Sequence, residues 1–125
     1  MMSRFFTFVF LFLGIACGAQ HTLTVSDNSN FHPGTDGKII SVFTLDEQLS
    51  QTEQSNLNEW IGNNSSFFKI TQNGLDITTE FPTNYNDRNV YLKLFYIVGV
   101  DDLKVKVNNE MRTMVHEEFF QHFNL

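Results

Sequence analysis

Cysteine is nearly absent. Cys17 is the only one in 125 residues, and it lies in a segment with the layout of a secretory leader. A domain that begins beyond it has no thiol, which excludes disulfides, a thiolate nucleophile and a cysteine-rich zinc site, so its stability must come from its core. Positive charge is also scarce, with eight Lys and Arg against fourteen Asp and Glu. Loss of Arg4 with the leader leaves seven basic residues against fourteen acidic ones, a net charge of −7. That balance argues against nucleic acid or an anionic lipid surface as a partner. No Gly-rich phosphate loop and no serine nucleophile elbow occur. No apolar run is long enough to cross a membrane, which takes about 20 residues.

The one long apolar run is Phe5 to Ala16, after Arg4 and before the small residues Gly18 and Ala19. Residues 1–19 therefore read as a signal peptide, and the protein is expected in the periplasm or outside the cell. Leu13 to Cys17 also fits a loose lipobox, so acylation of Cys17 and anchoring as a lipoprotein is the alternative. Otherwise no membrane association is expected.

Residues 20–37 are mostly Thr, Ser, Asn, Asp and Gly and read as a flexible polar leader, with the folded unit occupying 38–125. Lys38 to Leu45 reads as a strand with Ile39, Phe43 and Leu45 on one face and Ile40, Val42 and Thr44 on the other, the two-sided pattern of a central strand. Ser50 and Glu53 form a capping box ahead of a helix carrying Leu57, Trp60 and Ile61, with Gly62 as its stop. Asn73-Gly74 between two alternating runs predicts a hairpin pairing Gln72 with Leu75, Ile70 with Ile77 and Phe68 with Thr79. A helix capped by Asn86 or Asp87 carries Val90, Tyr91, Leu94, Phe95 and Val98. Asp101 to Val107 alternates as a strand, Asn108-Asn109 turns, and residues 114–123 are expected as a last helix bearing Phe119, Phe120 and Phe123.

The expected fold class is α+β: a ferredoxin-like βαββαβ two-layer sandwich, an antiparallel sheet with two helices on one face and an extra C-terminal helix. The opposite face is too apolar to be left to water, so either the Phe119, Phe120 and Phe123 stripe or a partner should cover it. Candidate interaction residues are thus Ile40, Val42, Phe67, Phe119, Phe120 and Phe123. In element order, lengths and helix caps, residues 38–107 resemble the heavy-metal-associated domain family. The resemblance implies a scaffold used for carrying copper or zinc. The family's metal-binding CxxC pair is missing, however, because the corresponding loop is Leu45-Asp46-Glu47-Gln48-Leu49-Ser50.

Other chemistry is thin. His116 and His122 are six residues apart, too far round a helix to share a metal, and Asp46-Glu47 and Asp101-Asp102 sit at element ends where carboxylates are commonly found. If cleavage leaves Ala19-Gln20-His21 as the N-terminus, His21 could complete a square-planar Cu(II) or Ni(II) site. The resulting expectation is a small, exported, non-enzymatic binding module without a cofactor, engaging a protein partner or a second copy of itself. The alternative is a metal-handling protein that uses His and carboxylate ligands in place of CxxC.

Overall fold

A computed structural model describes residues 20–33, 37–82 and 88–125. The expected signal peptide, Cys17 and the caps at Asn86 and Asp87 lie outside the described residues. Among those described, no helix is long and apolar enough to cross a membrane.

The described residues form a six-stranded sheet and three helices. In chain order these are β1 (His21–Val25), β2 (Lys38–Leu45), α1 (Gln51–Asn63), β3 (Lys69–Asn73), β4 (Asp76–Pro82), α2 (Arg88–Ile97), β5 (Val100–Val107), β6 (Glu110–Val115) and α3 (His116–His122). The strand order is β3-β4-β2-β1-β5-β6. β3, β4 and β2 are neighbours as a split βαβ requires, but β5 does not lie beside β2. β1 separates them, antiparallel to β2 and parallel to β5.

This corrects the reading of residues 20–37 as a leader. His21-Thr22-Leu23-Thr24-Val25 alternates, with Leu23 and Val25 buried at 0% and 5% exposure. A strand of period two with one apolar face gains its stability by burying that face, whatever its overall polarity. The residues directly after β1 are tied to β2 as well, through Ser26 N to Val42 O at 2.9 Å and Asn30 N to Ile40 O at 2.7 Å. Phe31 from the same stretch is 2% exposed, its ring 5.4 Å from Phe119 and 5.6 Å from Tyr91.

All three helices pack on one face of the sheet. Phe43 of β2 meets Tyr91 and Phe95 of α2 and Phe119 of α3, while Phe81 of β4 meets Tyr91. Burial pushes the Tyr91 phenol well above its ordinary pKa range. The other face carries Ile40, Val42 and Thr44 with Thr22, Thr24 and Thr78, all half-buried or exposed.

The C-terminal segment needs a second correction. Residues 110–115 form β6, paired with β5 from Asp102↔Val115 to Val107↔Glu110, and only 116–122 are helical. Asn108 and Asn109, at φ 54° and 67°, make the two-residue turn that sends the chain straight back along β5. The β3–β4 hairpin has the expected turn region but a register shifted by two, with Ile70 opposite Thr79 and Gln72 opposite Ile77. Its central residues are Gly74 and Leu75, with positive φ at Gly74 alone. The Leu75 carbonyl accepts the Leu45 amide at 2.8 Å, which ties this turn to the end of β2. An even shift preserves the face of each side chain, so the apolar pattern does not distinguish the two registers.

The Ser50–Glu53 capping box is present in full. Gly62, expected to end α1, instead lies within it, and Asn64 is the cap. Ser50→Ala should cost about 1 kcal/mol, read from the midpoint of urea unfolding.

Candidate binding site

The β2–α1 loop carries ionised groups on one side and a neutral groove on the other. On the ionised side is His21, on the same sheet face as Leu23 and 6% exposed. Its Nε2 lies 2.9 Å from Glu53 Oε1 and its Nδ1 3.1 Å from Asp46 Oδ1, with Glu47 Oε2 at 3.8 Å. Glu53 Oε1 also accepts the Ser50 amide at 2.8 Å, so one carboxylate both caps α1 and holds the first residue of β1. A carboxylate only accepts hydrogen bonds, so a carboxylate at each ring nitrogen favours the doubly protonated imidazolium form of His21. Burial pulls its pKa down, but the hydrogen bonds and charges of Glu53 and Asp46 outweigh this and the net shift is upward. Such a histidine has no free nitrogen with which to take a proton from a substrate.

His21 Nδ1 and oxygens of Asp46 and Glu47 lie within 4.8 Å of one another, close enough to share a cation. The N-terminal chelate expected of His21 has a different geometry. It would use the His21 backbone nitrogen as a ligand, whereas that amide donates to the Gly99 carbonyl at 2.6 Å. Glu53 Oε2 is buried without a hydrogen-bond partner.

On the other side of the loop, α1 and the β3–β4 hairpin flank an open groove of about 670 Å3. Its polar lining is Gln48, Gln51, Gln54, Ser55, Asn58 and Gln72, over the apolar Leu45 and Leu49, and none of its lining residues is ionisable. Gln54 Nε2 donates to Gln72 Oε1 at 2.6 Å and to Asn58 Oδ1 at 3.0 Å, and Gln72 Nε2 returns a bond to Gln54 Oε1 at 3.0 Å. This amide chain joins a helix to a strand and fixes which donors and acceptors are left facing the groove.

The six expected interaction residues do not form one surface. Ile40 and Val42 lie on the uncovered face of the sheet. Phe67 is half-exposed but precedes β3 in a turn, its amide bonded to Asn64 O. Phe119 and Phe120 are 0% and 1% exposed in the core on the helix side, so they are not a binding surface and do not cover the bare face. Phe123 is half-buried with its ring 4.4 Å from Phe31. Aromatic residues at helical spacing are drawn to whichever apolar face offers complementary rings, and here Phe43, Phe95 and Phe31 provide them. Sequence reasoning missed Met111 and Val115, which register with Lys106 and Asp102 and are 52% and 56% exposed. It also missed the groove. The available signal was Gln51, Gln54, Ser55 and Asn58 on one helix face, but Gln72 joins them only through the fold.

Comparison with known proteins found no matching family model, no matching curated protein and no matching solved structure.

Proposed function

We infer that this is an exported, non-enzymatic binding domain that captures an uncharged polar ligand in the groove between α1 and the β3–β4 hairpin. The observation that carries this reading is a groove of about 670 Å3 without an ionisable lining residue, in a strongly acidic chain. Its size falls within the roughly 300–1,000 Å3 of small-molecule sites. The occupied nitrogens of His21 favour binding over proton-transfer chemistry. Export rests on Arg4 and the apolar run that follows it. The scaffold reads as an elaborated ferredoxin-like unit: the chain order β2-α1-β3-β4-α2-β5 is the one that heavy-metal-associated modules use, and β1 lies between β2 and β5, where those modules have no strand.

Metal handling is the second reading, favoured by the proximity of His21, Asp46 and Glu47. Self-association through the uncovered sheet face ranks lower on area. Six strands about 4.8 Å apart and about 17–20 Å long offer roughly 500 Å2 per copy, about 1,000 Å2 for a pair, the lower limit of a specific interface.

Backbone amide spectra recorded during titration separate these readings. Groove binding predicts that an uncharged polar ligand moves the amides of Gln48, Gln54, Asn58 and Gln72. Shifts centred on His21 and Asp46 with Zn(II) or Cu(II), and no response to uncharged ligands, would instead establish the metal reading. Concentration-dependent shifts at Ile40, Met111 and Val115 without added ligand would establish self-association.

A further inference from the structure

We propose that the ligand of this groove is a neutral carbohydrate, a short stretch of uncharged oligosaccharide; this rests on the groove being the binding site. With seven basic and fourteen acidic residues beyond the leader, a random patch of this surface would carry ionised groups. The groove carries only primary amides and a hydroxyl as its polar lining. An anionic ligand would enter an acidic protein with no counter-charge to meet it, and a cation would find no carboxylate lining the groove.

Primary amides suit a polyol. Each side-chain amide offers two donors and an acceptor with two lone pairs, and each sugar hydroxyl both donates and accepts, so one amide can engage two neighbouring hydroxyls. The Gln54–Gln72 pair uses one donor of Gln72 and both donors of Gln54. The second Gln72 N–H and the Asn58 amide donors remain for a ligand, on side chains whose orientation is already fixed. Leu45 and Leu49 supply apolar surface against which the C–H face of a sugar ring can lie. An uncharged peptide is the competing occupant of similar polarity. It is recognised most effectively by a strand edge, where backbone groups repeat, whereas most of this polar lining is side chains of a helix and its approach loop.

The test titrates the protein purified from its secreting host with neutral β-1,4-glucan, α-1,4-glucan, β-1,3-glucan and β-1,4-xylan hexaoses. An uncharged Gly-Ser-Asn-Gln peptide and an oligogalacturonate serve as comparisons, followed by backbone amide spectra and calorimetry. The proposal predicts that at least one neutral hexaose shifts the groove amides, and that Asn58→Ala weakens its binding about tenfold, the loss expected for one good hydrogen bond. Glu59→Gln, on the same helix outside the groove, should bind unchanged and reports that the fold is intact. Groove shifts with the peptide but with no hexaose overturn the carbohydrate assignment and leave the groove as the binding site. Groove shifts with the oligogalacturonate alone overturn the neutral-ligand argument. Hexaose binding that Asn58→Ala and Gln72→Ala both leave untouched, or no response to any ligand, overturns the groove reading as well.

Discussion

Phe119→Ala should destabilise the domain by about 4 kcal/mol, while Val42→Asp should cost about 1 kcal/mol or less. The two residues looked equivalent as members of an apolar interaction surface, but they differ in environment. Phe119 is fully buried, with its ring 5.4 to 5.7 Å from those of Phe31, Phe95 and Phe120. Removing it takes away its own transfer energy and opens a cavity that three rigid rings cannot close. Val42 is half-buried on the uncovered face opposite Thr78, where a carboxylate can reach water. Against a total stability of roughly 5–15 kcal/mol, the Phe119 loss consumes much of what holds the domain together. Chemical denaturation of the two variants beside the parent gives both numbers. Comparable losses would mean that α3 does not pack where it is described.

The second large effect belongs to His21. Its ring is 5% exposed at the side chain and Glu53 11%, so His21→Ala leaves a buried carboxylate without its counter-ion and should cost about 3 kcal/mol at pH 6. The share due to Asp46, which is 43% exposed, is largely screened by solvent. Folding raises the His21 pKa above its ordinary 6.5. Between those two values the folded state therefore binds more protons than the unfolded one, and stability falls as pH rises. The His21 contribution is complete below pH 6.5 and is lost as pH climbs through the folded pKa. His21→Ala should flatten this part of the stability profile. A parent whose stability rises across that window, or a variant that keeps the parent's slope, would contradict the imidazolium assignment.

Most of the β2-α1-β3-β4-α2-β5 frame was legible, because its signals are local. The Ser50–Glu53 capping box, the alternation of Leu103 and Val105, and the helical spacing of Tyr91, Leu94 and Phe95 each declare an element within one short window. What failed were judgements that averaged over a window or needed a partner. Residues 20–37 are polar on average, yet His21 to Val25 alternates; Thr22 and Thr24 are good strand formers that face away from the core. Met111-Arg112-Thr113 shows no apolar face, since β6 is an edge strand with only Met114 buried. Neither of the sites built from distant residues could be read in advance. Glu53 looked like a cap because its contact with His21 spans 32 positions, and Gln72 looked like a strand end because its amide partner lies 18 positions away.

β1 links the fold to the site. It is the strand that departs from the expected topology, and through His21 it grips Asp46 and Glu53, which hold the β2–α1 loop where Gln48 and Leu49 wall the groove. Hydrogen exchange at the amides of Leu23, Thr24 and Val25 tests this most directly. A central strand paired on both sides exchanges only by opening a large part of the sheet, so these amides should be protected to nearly the same extent as those of Phe43 and Leu103. Exchange at the rate of an unstructured chain, with Phe43 and Leu103 still protected, would show that residues 20–25 are a free leader and remove the strand on which the account of the site depends.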